Sequence, residues 1–138
     1  MTQLVLDADI AIGWCFLDAA DGYTDGVLEA LKEVTAVVPA HWMLEVSNVL
    51  LAAQKRSRLT EAEATRFVEL LHRLPIETDG ETPQRAADTI RSLGRNHGLS
   101  AYEAAYLELS IRRGAPLATR NPALQSAARR AGATLVGG

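Results

Sequence analysis

Four side chains that carry oxygen atoms stand beside or inside predicted helices and strands of this chain. Asp7 directly follows an apolar run, and both Glu45 and Glu103 interrupt apolar helical segments. Asn121 precedes Pro122 at the start of a further predicted helix. A carboxylate on the inner face of a helix is very costly unless it is paired, protonated or bound to a metal ion. We therefore expect these side chains to converge on one site.

The position of these groups favours one kind of chemistry. Ligand sites in open α/β sheets lie beyond the carboxyl ends of the strands, which is where Asp7 and residues 119–121 fall. Several carboxylates at one point repel one another unless a divalent cation lies between them, and oxygen ligands select Mg²⁺ or Mn²⁺. Such a pocket suits phosphodiester hydrolysis, in which the cation orients an attacking water and stabilises the leaving oxygen.

Each of these residues also has a purely structural interpretation. Asp7 and Asn121 are good N-caps for the helices that follow them. Asp9 is a first-turn acid of the kind that the helix dipole favours. Glu45 is solvent-exposed if the predicted helix face is wrong by one position. Glu103 stands three residues after a serine, which is the capping-box pattern.

The elements that must position these residues alternate along the chain. Short apolar runs predict strands, and apolar residues at helical spacing predict helices. The predicted strands are residues 4–6, 36–38, a short one near Ile76, 116–119 and 133–136. The predicted helices are residues 10–16, 22–33, 41–54, 60–74, 82–97 and 100–111, with a short last helix from Asn121; Thr82 is the expected N-cap of the fifth. This alternation predicts an α/β fold, a three-layer sandwich with a mostly parallel sheet.

Composition limits the class of protein. The chain has 138 residues, of which 48% are hydrophobic and 22% are charged, so we expect a single domain over residues 1–138 and not a disordered chain. It has no apolar run of roughly 18 residues, the length that a membrane span needs, and no signal peptide is visible. A single cysteine, Cys15, fits a cytoplasmic location. The formal charge of −3 does not indicate a general electrostatic binder of nucleic acid.

Four segments resemble a known family. VLDADIAIGW (5–14) is similar to the opening of PIN-domain ribonucleases, specifically the VapC-like toxins of bacterial toxin–antitoxin pairs. PAHWMLEVSNVL (39–50), LSAYEAAYL (99–107) and PLATRN (116–121) are similar to the later segments of the same family. The match follows the family's order and spacing over nearly the whole chain.

This resemblance implies a PIN-like α/β/α sandwich and an endoribonuclease that depends on Mg²⁺ or Mn²⁺. By position, Asp7 and Glu45 match the first two acids of the family, while Glu103 and Asn121 stand where the third and fourth, usually aspartates, are expected. All four are candidate catalytic residues. We expect Asp7 and Glu103 as direct metal ligands, with Glu45 close by, and a single bound ion in the absence of RNA. Asp9 replaces a small polar residue and is a candidate to restore the charge lost at Asn121.

The resemblance also implies partners. We expect an RNA substrate, a cognate antitoxin protein and a homodimer. The predicted helices 42–54 and 60–74 carry much apolar surface for so small a chain, and large exposed apolar patches usually mark interfaces. We place the dimer contact there.

Other classes of protein fit the sequence less well than a nuclease does. Asp7-Ala8-Asp9 after a strand is also seen in haloacid-dehalogenase phosphatases, but that class and receiver domains need a downstream lysine, and none follows Lys55. A dinucleotide-binding fold needs a glycine-rich turn after the first strand, which is missing here. The remaining alternative is a catalytically weakened PIN-like domain that binds RNA or protein.

Overall fold

The computed structural model describes residues 1–137, which form four β-strands and eight α-helices. The strands are β1 (Gln3–Leu6), β2 (Thr35–Val38), β3 (Ile76–Thr78) and β4 (Leu117–Ala118). The helices are α1 (Ala8–Ile12), α2 (Gly22–Ala30), α3 (Trp42–Lys55), α4 (Glu61–Arg73), α5 (Thr82–Arg85), α6 (Arg91–His97), α7 (Ala101–Arg113) and α8 (Pro122–Ala131). A 3₁₀ turn at Leu17–Ala19 follows α1, and a π-helical segment at Ala86–Ile90 joins α5 to α6.

All four strands are parallel and form one sheet in the order β3-β2-β1-β4. Val5 of β1 lies opposite Val37 of β2 on one side and Leu117 of β4 on the other. Because crossovers are right-handed, the steps from β1 to β2 to β3 place α1–α4 on one face of the sheet. The step from β3 back to β4 runs the other way and places α5–α7 on the opposite face. The predicted three-layer α/β/α sandwich with a parallel sheet is confirmed.

The core lies on both faces of the central strand. Leu4, Val5 and Leu6 of β1 are fully buried, as expected for a strand that is covered by helices on both sides. Tyr106 of α7 is 2% exposed and is among the largest side chains of this core. None of the helices within residues 1–137 is both long and apolar enough to cross a membrane.

The helix starts that were predicted from capping boxes are confirmed. The Thr60 hydroxyl accepts a hydrogen bond from the Glu63 backbone N–H at 3.1 Å, and the Glu63 carboxylate accepts one from the Thr60 N–H at 2.9 Å. The same exchange opens α7 at Ser100. The capping box satisfies two backbone N–H groups that a helix start otherwise leaves without partners.

Three local predictions are wrong. Residues 133–136 do not form a strand: they meet β4 only at an isolated bridge between Leu117 and Leu135, because β4 itself has just two residues. Thr82 is not an N-cap, since Glu81 takes that position. The buried Thr82 hydroxyl instead accepts from the Ala40 N–H at 3.1 Å and donates to Asp79 at 3.2 Å, so it joins two loops at the carboxyl end of the sheet. The predicted helix 82–97 is also interrupted by the π-helical segment.

A buried ionic network fixes α7 to the end of β3. Asp79 is 1% exposed, and Arg112 donates to both of its carboxylate oxygens at 3.0 and 2.8 Å. Arg112 also donates to the buried Glu108 at 2.7 Å. Hydrogen bonds and charge from Arg112, with help from Arg113, lower the pKa of Asp79 to about 2. Asp79 therefore stays ionised and holds the far end of the helix that carries Glu103 and Tyr106.

Candidate functional site

Asp7 lies at the carboxyl end of the central strand. Its backbone N–H donates to the Ala118 carbonyl at 3.0 Å, which places the residue directly after the sheet. The Thr119 hydroxyl donates to Asp7 Oδ2 at 2.7 Å. Asp7 is also the N-cap of α1, but its Oδ1 accepts from the Asp9 N–H at 3.5 Å, which is at the limit for a hydrogen bond. The structure therefore holds the carboxylate mainly through Thr119.

The Asp7 carboxylate lies in surroundings that disfavour its charge. Burial raises its pKa from 3.8 to about 6, and the nearby negative charges of Glu45 and Asp9 add to this rise. The hydrogen bond from Thr119 opposes it but is too weak to restore the ordinary value. A carboxylate in this state is stabilised by any cation that comes between it and its acidic neighbours.

Glu45 is positioned by Tyr106, a residue that the sequence analysis missed. The Tyr106 hydroxyl donates to Glu45 Oε1 at 2.5 Å and accepts a hydrogen bond from the Ala8 N–H at 3.3 Å. Burial and the negative charges of Asp7 and Glu45 raise the pKa of Tyr106, so the phenol stays protonated and remains a donor. The only sequence signal was a tyrosine at helical spacing from Glu103, which looks like any core residue.

Asp7 and Glu45 open onto one cavity of about 350 Å³. The cavity is lined by Asp7, Ala8, Asp9, Ile12, Glu45, Asn48 and Val49. The side chain of Glu45 is 35% exposed, so water and ions reach it directly. We call this space the acid cavity.

Glu103 makes contacts that the capping-box interpretation predicted. Its Oε1 accepts from the Ser100 N–H at 2.9 Å, and its Oε2 accepts from the Asn121 amide at 2.7 Å. These hydrogen bonds lower the pKa of Glu103. Both carboxylate oxygens are thus engaged, and Glu103 is not among the residues that line the acid cavity within 1–137.

Asn121 joins the two halves of the predicted site. Its Oδ1 accepts from the N–H groups of Ala123 and Leu124, so its predicted role as N-cap of α8 is confirmed. Its side-chain amide donates to Glu103, and its backbone N–H donates to the Thr119 hydroxyl at 3.1 Å. A chain of hydrogen bonds therefore runs from Asp7 through Thr119 and Asn121 to Glu103.

Asp9 lines the acid cavity and is paired with an arginine. The Arg120 guanidinium lies 2.8 Å from Asp9 Oδ2 and also contacts Asp21 at 3.2 Å and the Ala19 carbonyl at 2.8 Å. Arg120 therefore offsets part of the charge of Asp9, although Asp9 still helps to raise the pKa of Asp7, and the restoration of the lost charge by Asp9 stays a prediction. Arg120 also ties the end of β4 to the turn after α1.

The donor set fits a divalent cation that keeps part of its water shell. Among residues 1–137, no three acidic, histidine or cysteine side chains are grouped closely enough to form a metal cage on their own. Mg²⁺, however, usually keeps several waters and binds through one or two carboxylates. Asp7 and Glu45 supply two, and the raised pKa of Asp7 indicates negative charge that lacks a partner. These two residues would hold the ion.

Comparison with known proteins places this arrangement in a family. The sequence model of the PIN domain matches residues 4–130. The chain belongs to the PIN domain family. Both the predicted family and the predicted PIN-like fold are thereby confirmed. A comparison with curated protein sequences gives no match.

Solved structures of similar shape support the assignment of the fold. PAE2754 from Pyrobaculum aerophilum is similar with a TM-score of 0.68 at 18% identity, covering 91% of this PIN domain and 79% of that chain. VapBC2 from Rickettsia felis, bound to a DNA fragment from its promoter, gives 0.63 at 15% identity and covers 87% and 88%. FitAcB from Neisseria gonorrhoeae gives 0.60 at 17% identity and covers 91% and 93%. At these identities the likeness concerns the fold.

Proposed function

We propose that this PIN domain is a divalent-cation-dependent endoribonuclease and the VapC-like toxin of a toxin–antitoxin pair. The single observation that carries the proposal is the partly buried Asp7 carboxylate, whose pKa of about 6 and proximity to Glu45 in an open cavity call for a cation. PIN domains are generally nucleases, which agrees with this chemistry. We also propose a cytoplasmic location, in keeping with the single free cysteine, Cys15.

Each residue of the acid cavity has a separate role in this proposal. Asp7 and Glu45 bind the cation, Thr119 orients Asp7, and Tyr106 orients Glu45 by donating to one of its oxygens. The cation supplies charge stabilisation at the phosphate and an oriented, acidified water. The hydrogen bond from Tyr106 holds Oε1 of Glu45, which leaves Oε2 to accept a proton from a water in the cavity that Glu45 lines.

Glu103 and Asn121 remain predicted members of the catalytic set. The Ser100 N–H and the Asn121 amide each donate to one oxygen of Glu103, so ligation by Glu103 uses a remaining lone pair of these oxygens or replaces the hydrogen bond from Asn121. When Glu103 does not bind the ion, Glu103 and Asn121 hold Thr119 in place and through it Asp7. Mn²⁺ tolerates such a set as well as Mg²⁺ does, so we propose either ion as cofactor.

The proposed protein partners rest on surface composition and on the neighbours in fold. VapBC2 is one of these neighbours, and its name and the resemblance in sequence support a cognate antitoxin. A groove of about 430 Å³ lies between α3 and α4, and Leu51 on its wall is 64% exposed. We propose that this face forms the homodimer contact. A monomeric mass by light scattering at tens of micromolar would contradict it.

The test of the function compares three metal conditions. The purified chain is expected to cleave RNA with Mg²⁺ or Mn²⁺ and to be inactive in EDTA, while Asp7→Asn is inactive in all three. Asp88→Asn removes the same charge from an exposed position and serves as the matched control with full activity. Binding of RNA without cleavage at any metal concentration would instead support the weakened binding module, which the engaged state of Glu103 favours.

A further inference from the structure

A second cavity adjoins the acid cavity along α3. It measures about 590 Å³ and is lined by His41, Leu44, Glu45, Ser47, Asn48, Leu51 and Tyr102. Glu45 and Asn48 line both cavities, so the two are continuous. We call this second space the Tyr102 groove. An RNA strand whose phosphate lies at Asp7 and Glu45 therefore has its neighbouring nucleotide within reach of the Tyr102 groove.

An ordered aromatic surface forms one wall of the Tyr102 groove. The rings of Tyr102 and His41 lie 5.4 Å apart at 66°, and those of His41 and Tyr106 lie 5.6 Å apart at 77°. Edge-to-face contacts of this kind hold aromatic rings in place. Tyr102 belongs to the first turn of α7, whose backbone is fixed by the capping box. The residue nevertheless remains 63% exposed.

The other walls combine apolar surface with polar groups. Leu44 and Leu51 are 74% and 64% exposed. The exposed Asn48 amide and the Ser47 hydroxyl stand between them and offer both donors and acceptors. Within the part of the chain that the structure describes, His41 Nε2 makes no hydrogen bond, although it lies 3.3 Å from Glu45 Oε1. An exposed ring beside a few hydrogen-bonding groups is how proteins hold unpaired bases.

We propose that the Tyr102 groove is a subsite for one unpaired nucleobase next to the phosphodiester bond that is cleaved, with Tyr102 as its stacking surface. The proposal rests on the proposed nuclease function. A second protein copy is a poorer occupant, because an apolar partner would bury the Glu45 carboxylate at the end of the groove. The face that we assign to the dimer, between α3 and α4, shares Ser47 and Leu51 with the edge of the Tyr102 groove, so the oligomeric state of a groove variant distinguishes a base from a second copy.

The test is a double-mutant cycle in which the Tyr102 ring and the RNA base are removed separately and together, and their energetic coupling is measured. The cleaved bond is first mapped with the wild type, and RNA oligonucleotides are then made with an abasic ribose on either side of it. Base–aromatic stacking is worth about 5- to 150-fold in affinity. For intact RNA, Tyr102→Ala is expected to raise KM by a factor in that range with kcat nearly unchanged, while Tyr102→Phe retains the wild-type KM. For the RNA abasic at the bound position, wild type and Tyr102→Ala should have the same KM.

Two controls distinguish loss of stacking from a general effect on α7 and from loss of a dimer contact. Ile111→Ala removes an apolar side chain, 47% exposed, from the far part of the same helix and should leave KM unchanged. Light scattering on Tyr102→Ala should give the wild-type mass; dissociation would assign the groove to a second copy and overturn the proposal. The proposal would also be overturned if Tyr102→Ala raised KM by the same factor for intact RNA and for abasic RNA, because the ring and the base would then act independently. If the wild type cleaves no RNA, the proposed function fails and the subsite with it, whereas cleavage without coupling removes only the subsite.

Discussion

Replacing Asp7 by asparagine should abolish cleavage and at the same time stabilise the metal-free fold at neutral and alkaline pH. The substitution removes a charge that the folded state disfavours and keeps a side chain of the same shape. A rise of the pKa from 3.8 in the unfolded chain to about 6 in the fold corresponds to about 3 kcal/mol of destabilisation above both values. This figure is an upper bound on the relief that the asparagine provides.

Part of that relief is offset by lost hydrogen bonding. Asparagine keeps one acceptor oxygen, so it retains the bond from Thr119 and loses the long capping contact from the Asp9 N–H, which costs about 1 kcal/mol. The expected net gain at pH 8 is about 2 kcal/mol. Because the folded pKa is raised, the wild-type carboxylate destabilises the fold progressively as the pH rises from about 4 through about 6. At pH 4 the two effects should cancel.

Urea unfolding in EDTA measures this difference, with the fluorescence of Trp14 and Trp42 as the signal. EDTA is needed because a bound cation stabilises the wild-type carboxylate and hides the effect. The exposed Asp88→Asn should change the free energy of unfolding by less than about 0.5 kcal/mol at every pH. If Asp7→Asn is less stable than wild type by the same amount at pH 4 and pH 8, then Asp7 serves its helix and the reasoning from its charge is refuted.

Three further substitutions test side chains that hold the candidate site in place: Tyr106, Asp79 and Asn121. Tyr106→Phe removes the donor to Glu45 and should lower the free energy of unfolding by about 1–3 kcal/mol and weaken Mn²⁺ binding in calorimetry; unchanged values of both would exclude the positioning role. Asp79→Asn should cost about 3 kcal/mol at pH 7, because it removes the buried carboxylate that Arg112 and Arg113 share and leaves Glu108 as the buried acidic partner of Arg112. Since the pKa of Asp79 is lowered to about 2, this loss should shrink as the pH falls from 4 toward 2, and a loss independent of pH would contradict it. Asn121→Asp replaces the amide that donates to Glu103 by a carboxylate, so it should destabilise the fold in EDTA and raise Mn²⁺ affinity; weaker Mn²⁺ binding would show that this position serves only its helix.

The sequence allowed the fold and the local ends of its elements to be predicted, because these depend on short patterns. The capping boxes at Thr60 and Ser100 are complete within four residues, so the helix starts followed directly. Asp7 was placed correctly because an acid after a buried apolar run has few other positions in a parallel sheet. The prediction of a strand at 133–136 was wrong because β4, the strand beside it, has only two residues. The sequence of 133–136 does not show the length of that neighbouring strand.

The contacts that organise the candidate site join distant parts of the chain. Tyr106 is 61 residues from Glu45, and Arg120 is 111 residues from Asp9. Whether an acid is paired with an arginine or open to a cavity depends on such contacts and not on its neighbours in sequence. For this reason the pairing of Asp9 with Arg120 was not predicted and Tyr106 was missed. The two interpretations of Glu103, as cap and as site residue, stayed open at the level of sequence because one geometry serves both.

The central claim is that a divalent cation binds between Asp7 and Glu45. Anomalous diffraction from crystals soaked in Mn²⁺ tests it most directly, with Asp7→Asn crystals as the control. The account predicts a peak in the acid cavity at about 2 Å from carboxylate oxygens of both residues, and loss of that peak in the variant. An empty acid cavity in crystals of a protein that cleaves RNA with Mn²⁺, or a peak elsewhere that survives in Asp7→Asn, would contradict it.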